Sequence, residues 1–182
     1  MTDSRSEIPL LVVFTNITRA TYYVQKTTDL AAAELCDAYY KRLGEAVDAA
    51  GGTLVKFIGD GCLFVFPETG VDRGIRMLLD LKPNVDALLL QHGWTESRMQ
   101  AKVHFGTVVA GPFGAAGAKR FDVIGKAVNT AARLESSGVT LSAAAFRKLN
   151  PEMRKQFRKS SPPITYIRMN EDSPRPGHGG LP

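Results

Sequence analysis

The stretch Gly51-Gly52-Thr53-Leu54-Val55-Lys56-Phe57-Ile58-Gly59-Asp60-Gly61-Cys62-Leu63-Phe64-Val65-Phe66 limits what this chain can fold into more than any other. Two apolar, β-rich runs meet at Gly59-Asp60-Gly61, which predicts an antiparallel hairpin, with Asp-Gly suited to the positive dihedrals of a type I′ turn. Regular alternation would put Leu54, Lys56 and Ile58 on one side and Val55 and Phe57 on the other. Both sides are apolar enough to be covered, so the amine needs a reason. Lys56 either snorkels off a sheet edge or serves a site. Asp60 is either a turn former or a site carboxylate.

Around this hairpin the pattern alternates. Residues 10–15 form a β-rich run, and a helical pattern follows from about 28 to 50, stopped by Gly51-Gly52. A second helical region spans about 70–91, interrupted or kinked at Pro83. Residues 102–111 read as a strand, and 120–124 as its hairpin partner after a Gly/Ala-rich loop. A helix from about 126 to 136 carries Asn129 and Arg133 four residues apart on one face. Residues 139–141 and 164–167 read as closing strands around a helix that Ser142 could cap. The hairpins favour an α+β sheet over a doubly wound one. Residues 170–182, rich in Pro and Gly, are expected to be a disordered tail.

At 182 residues the chain has the size of one domain. Its net charge of +5 comes largely from Arg147, Lys148, Arg154, Lys155, Arg158 and Lys159. With no aromatic stacking platform beside them these read as a solvated face, so nucleic acid is not an expected partner. His92, His104 and His178 lack catalytic or zinc spacing, and there is no P-loop lysine or G-x-S-x-G turn. No apolar run approaches a membrane span, and the polar opening lacks a signal-peptide core, which gives a cytoplasmic expectation. Cys36 and Cys62 are isolated and read as small buried residues without a disulfide framework.

Three segments in order resemble the class III adenylate/guanylate cyclase catalytic domain. They are Val12-Val13-Phe14-Thr15-Asn16-Ile17, the glycine-bounded hairpin, and Arg120-Phe121-Asp122-Val123-Ile124-Gly125-Lys126-Ala127-Val128-Asn129-Thr130-Ala131-Ala132-Arg133-Leu134-Glu135. The resemblance implies a cyclase homology domain over residues 8–169 with a ferredoxin-like α/β sandwich, a largely antiparallel sheet and covering helices. It implies a head-to-tail dimer, as a homodimer or with another cyclase-like chain, and sites built at the interface. The implied reaction converts ATP to 3′,5′-cyclic AMP and pyrophosphate with two Mg2+ or Mn2+ ions. On the matching positions, Asp60 would be a metal ligand, and Lys56 and Asp122 would read the purine. A lysine donor suits an adenine ring nitrogen and a carboxylate suits its amino group, so ATP is preferred to GTP. Asn129 would orient the ribose and Arg133 would stabilise charge at the transferring phosphate. Thr18 and Thr21 lie in the implied phosphate-cradling turn, which here lacks the family's glycine. Arg158 or Lys159 would supply a C-terminal phosphate contact.

The chain departs from the family at Asn16, where active members carry a second metal-binding aspartate. An amide keeps an oxygen and loses the charge through which magnesium is usually anchored. Three expectations follow: a weak or manganese-assisted adenylate cyclase, a half-cyclase that works with a partner, or a nucleotide-binding pseudoenzyme serving as a dimerising signalling module. Lys126 is a smaller departure, at a position the family commonly fills with an acidic or amide residue.

Overall fold

The computed structural model describes residues 4–161 and 163–172. The chain runs β1 (Ser6–Ile17), α1 (Ala20–Val24), α2 (Asp29–Ala49), β2 (Thr53–Ile58), β3 (Gly61–Pro67), α3 (Val71–Gln91), β4 (Met99–Phe113) and β5 (Arg120–Ile124). It continues through α4 (Lys126–Arg133), β6 (Val139–Ser142), α5 (Ala143–Lys148), α6 (Pro151–Arg154), β7 (Phe157–Ser160) and β8 (Thr165–Arg168). Strands join in the order β2-β3-β1-β4-β6-β8-β7, and β5 pairs with the far part of β4. Every pairing is antiparallel except β4 with β6. The β1-α2-β2-β3-α3-β4 portion is the ferredoxin-like split βαβ arrangement, as the resemblance implied.

Alternation along β1 separates the two faces of the sheet. Leu11, Val13 and Ile17 are buried with Leu35, Tyr39, Leu43, Ile75, Leu78 and Leu89 of α2 and α3. Leu10 and Val12 lie on the opposite face with Leu63, Val65, Val108, Val123, and Ala127 and Ala131 of α4. That second, smaller cluster underlies the candidate site.

The helix ends follow local chemistry. Thr28 caps α2 by accepting the Ala31 N–H at 3.2 Å. Gly51, at φ +74°, closes the same helix, with the Gly52 N–H bonded to Val47 O at 2.8 Å as in a Schellman ending. Pro83 does not divide α3, which continues to Gln91 because Leu81, Val85, Leu88 and Leu89 hold both halves on the core. Helix α4 stops at Arg133, short of the expected 136, because Leu134 is extended at ψ 135°. Just beyond it the Ser136 hydroxyl bonds the Gly138 carbonyl instead of continuing the helix. Ser142 caps α5 as expected, accepting the Ala145 N–H at 3.2 Å.

Two expectations about the hairpin change. Its two-residue loop is Gly59-Asp60, with positive φ at Gly59 alone, which is the sign pattern of a type II′ connection rather than I′. A bulge between Leu54 and Lys56 breaks the regular alternation. Leu54 pairs with Phe64 on the helix face, whereas Lys56 pairs with Leu63 on the opposite face. Strand β7 falls inside the basic cluster that read as a solvated face. Of the cysteines Cys62 is buried and Cys36 only half-buried. The expected tail lies outside the described residues from 173 onward. Its first residues, 170–172, are described and tied to the fold rather than disordered: the Glu171 carboxylate accepts the Val139 N–H at 2.8 Å.

Candidate active site

The strands carry Lys56 and Asp122 to one point. Strands β2 and β5 are not neighbours in the sheet order, yet they touch, and Lys56 Nζ lies 2.6 Å from Asp122 Oδ2. The bulge makes this meeting possible by turning Lys56 to the face opposite α2. The other carboxylate oxygen, Oδ1, accepts the Val123 N–H at 2.8 Å, which fixes the plane of the group. The side chains are 45% and 25% exposed, so donor and acceptor stand open to a ligand. Apolar side chains flank the pair without cover: Ile58 at 46% exposure, Phe121 at 43% and Ile124 at 52%.

A second corner forms where the hairpin turn meets the end of β1. Asn16 pairs with Gly61, and a Cβ on Gly61 would come within 2.5 Å of Thr15 O, so only glycine allows this approach. Asp60 Oδ2 accepts the Ile17 N–H at 3.2 Å, which places the carboxylate beside Asn16. Beneath the corner the thiol of Cys62, pushed up to about 12 by burial, stays protonated and inert. The Asn16 amide donates to Gln100 Oε1 at 3.4 Å. Gln100 in turn donates to the Ser136 carbonyl, just past α4.

Helix α4 presents the remaining expected pair. Ala127 and Ala131 face the sheet, which leaves Asn129 and Arg133 exposed on the outer side. Among the described residues neither side chain has a hydrogen-bond or ion-pair partner. The helix is anchored from below by Lys102, whose ammonium donates to Ala132 O at 3.3 Å near the negative end of the dipole. Half-burial pushes the Lys102 pKa down, an effect Glu135 partly offsets. Neither Gln100 nor Lys102 stood out in the sequence. The available signal was the period of β4, which places 100 and 102 on the face of Asn16 and Phe14.

The expected phosphate turn has the conformation its missing glycine would provide. Arg19 adopts φ +59°, the left-handed region, and is the only non-glycine among the described residues to do so. The turn is tied to the loop before β4: Thr18 Oγ accepts the Arg98 N–H at 2.8 Å, and Arg19 pairs with Glu96. Thr21 lies exposed on α1. Arg158 and Lys159 lie on β7, at the sheet edge farthest from β2, so they are not gathered with Lys56 and Asp122. Arg158 instead donates to Glu171 O at 2.6 Å.

The donors at the Asp60 corner can be weighed against a divalent ion. They are one carboxylate and one amide oxygen, and among the described residues no three His, Cys, Asp or Glu side chains converge. Such a set fits one hard cation completed by phosphate oxygens and water. It falls short of the two-carboxylate set that the expectation of two ions assumes.

Comparison with known proteins bears on the family and the fold. The family model described as "Adenylate and Guanylate cyclase catalytic domain" matches residues 4–169. An uncharacterized protein of Mycobacterium tuberculosis is 28% identical over 153 residues, which are 82% of this chain and 36% of the relative. An adenylate cyclase of Anabaena cylindrica is 27% identical over 133 residues, covering 69% of this chain and 26% of that protein. A receptor-type guanylate cyclase of Caenorhabditis briggsae is 28% identical over 161 residues, 82% of this chain and 13% of the relative. The chain thus spans little more than a third of these curated relatives at most. Among solved structures, the adenylyl cyclase CyaB from P. aeruginosa superposes with a TM-score of 0.78 at 18% identity, over 95% of this chain and 98% of that one. The guanylyl cyclase Cya2 gives 0.73 at 18% identity, over 98% of each chain. Family model, relatives and fold converge: this chain belongs to the adenylate and guanylate cyclase catalytic domain family.

Proposed function

We propose that this chain is an adenylate-type cyclase domain whose site is completed by a second cyclase-type chain, and whose rate is held down by Asn16. The observation that carries the purine assignment is the 2.6 Å meeting of Lys56 Nζ and Asp122 Oδ2. A bound adenine would replace each partner's contact with the other: its ring nitrogen accepts from Lys56, and its amino group donates to Asp122. Guanine offers the reverse pattern. The exposed apolar side chains around the pair, and the exposed Asn129 and Arg133 without partners, support completion by another chain.

In the reaction the ribose 3′-oxygen bonds to the α-phosphorus, the bond from that phosphorus to the bridging oxygen breaks, and pyrophosphate leaves as the 3′-hydroxyl proton passes to solvent. Asn129 orients the ribose, and Arg133 holds negative charge on the transferring phosphate. Thr18 and Thr21 belong to the turn that faces the outer phosphates. A divalent ion, Mg2+ or Mn2+, held by Asp60 with the nucleotide phosphates, would supply Lewis-acid stabilisation of the same charge. Losing an anionic ligand at position 16 costs roughly a thousandfold in rate, at about 1.4 kcal/mol per factor of ten.

The half-cyclase reading is favoured by one contrast: Lys56, Asp122, Asn129 and Arg133 are all present, while the Asp60 corner has an amide as its second member. The test is cyclic nucleotide production from ATP or GTP with Mn2+ or Mg2+, by the chain alone and mixed with a cyclase chain that carries both aspartates. ATP is the expected substrate, with the larger rate in the mixture, and Lys56→Ala is expected to abolish product formation from ATP. Absence of product in every combination, together with no ATP binding by calorimetry, would overturn both readings.

A further inference from the structure

Asn16, at the Asp60 corner, is one end of a hydrogen-bond relay that runs through Gln100 to Ser136. The Ser136 backbone carbonyl can only accept, so the end of Gln100 that faces it must be the NH2 group. Gln100 therefore turns its carbonyl oxygen to Asn16, and the contact at 3.4 Å is made by the Asn16 amide donating. Ser136 is not free to turn away. Its hydroxyl donates to Gly138 O at 2.7 Å and accepts from the buried Thr140 hydroxyl at 3.0 Å. Position 16 thus requires a donor, and a carboxylate has none. With aspartate there, an acceptor would face Gln100 Oε1. If Gln100 flipped to avoid this, its oxygen would face Ser136 O instead, so one acceptor–acceptor contact remains either way.

We propose that Gln100 is a positioning residue that makes an amide the group this chain can hold at position 16, with the Asn16 carbonyl oxygen turned away from β4 toward the Asp60 corner. Asn16 and Gln100 then form one unit, which links the Asp60 corner to the loop behind the helix bearing Asn129 and Arg133. The functional half of the proposal rests on the reading of that corner as an ion site; the relay itself does not. Single replacement of Asn16 by aspartate restores a charge and breaks the relay, whereas joint replacement with an all-donor residue at 100 restores both.

The experiment is a double-mutant cycle on the whole chain without nucleotide or metal: wild type, Asn16→Asp, Gln100→Lys and the pair, read as melting temperatures. Asn16→Asp is expected to lower the melting temperature by roughly 3 °C or more, Gln100→Lys by less because the Asn16 amide can turn its oxygen to the ammonium, and the pair to return within about 1 °C of wild type. Additive losses would overturn the proposal. The Asn16→Asp/Gln100→Arg pair, whose planar guanidinium can donate in both directions, repeats the test should lysine not fold at 100. A second measurement, Mn2+ affinity in the presence of a non-hydrolysable ATP analogue, tests the ion site separately. There the paired variant is expected to bind about tenfold more tightly than wild type, or about 1.4 kcal/mol. Recovery in the cycle without that gain would leave the relay standing and remove the ion-site reading; a gain without recovery would do the opposite.

Discussion

At the scale of single residues, the chain solves local problems with unexpected side chains. Arg19 occupies a left-handed position that costs about 1–2 kcal/mol for a residue with a Cβ. Its guanidinium is held by Glu96 and lies 5.3 Å from the centre of the Tyr22 ring, which partly offsets that cost. His104, on the Asn16 face of β4, offers a cleaner measurement. Its Nδ1 is 2.9 Å from Ser142 Oγ, the hydroxyl that also caps α5. Half-burial lowers its pKa from the ordinary value of 6.5, so the folded chain resists protonation there more than the unfolded chain does. Between the lowered folded value and 6.5 the unfolded state binds more protons, so stability falls as pH drops through that window. Urea denaturation midpoints measured stepwise from neutral to mildly acid pH are expected to decline below about 6.5 in the wild type. His104→Gln should flatten that decline, and an unchanged slope would remove His104 as its source.

At the scale of elements, both ends of α2 and the start of α5 were legible because their chemistry is local, whereas the end of α4 and the type of the hairpin turn were not. Thr28, Gly51-Gly52 and Ser142 mark their helix boundaries through bonds to the backbone within a turn or so. The Val55 bulge was not legible, because an extra residue in one strand is decided by the partner strand, and nothing in Leu-Val-Lys-Phe announces it. Strand β7 was hidden for a similar reason. Phe-Arg-Lys-Ser offers one buried apolar side chain, and its charges suit an outer edge strand as well as a solvated face. The candidate site positions came from resemblance, whereas the Asn16–Gln100–Ser136 relay joins residues that only the sheet brings together. The α2 ending allows a direct test of packing against conformation. A Cβ on Gly52 would lie 2.7 Å from two carbons of the buried Phe66 ring and 2.9 Å from Val47, whereas one on Gly44 would meet nothing within 4 Å. Gly52→Ala is expected to cost about 1–3 kcal/mol, and Gly44→Ala, inside the same helix, to gain about 0.5–1 kcal/mol. Chemical denaturation of both variants checks the pair; equal effects would show that the ring yields.

At the scale of the whole molecule, the question is which candidate groups serve one reaction together. The Asp60 corner sits at a hairpin end, while Asn129 and Arg133 project outward from α4 with no partner within the described chain. A head-to-tail pair would let the corner of one chain meet the helix and purine-reading groups of the other, giving two equivalent sites. Inactive variants should then complement by set. In a mixture of Asp60→Ala and Asn129→Ala chains, half of the randomly paired dimers are mixed. Each mixed dimer has one site with both defects and one with neither, so activity should recover to about a quarter of the wild-type rate. Lys56→Ala mixed with Asn129→Ala should not recover, because both changes damage the same contributed set and every site keeps one of them. Rates measured with ATP and Mn2+ after unfolding, mixing and refolding distinguish the outcomes. Recovery in the first mixture alone assigns the corner and the helix to different chains. Recovery in the second would place Lys56 and Asn129 in different sets, and recovery in neither, with all variants folded, would rule out a site shared between copies.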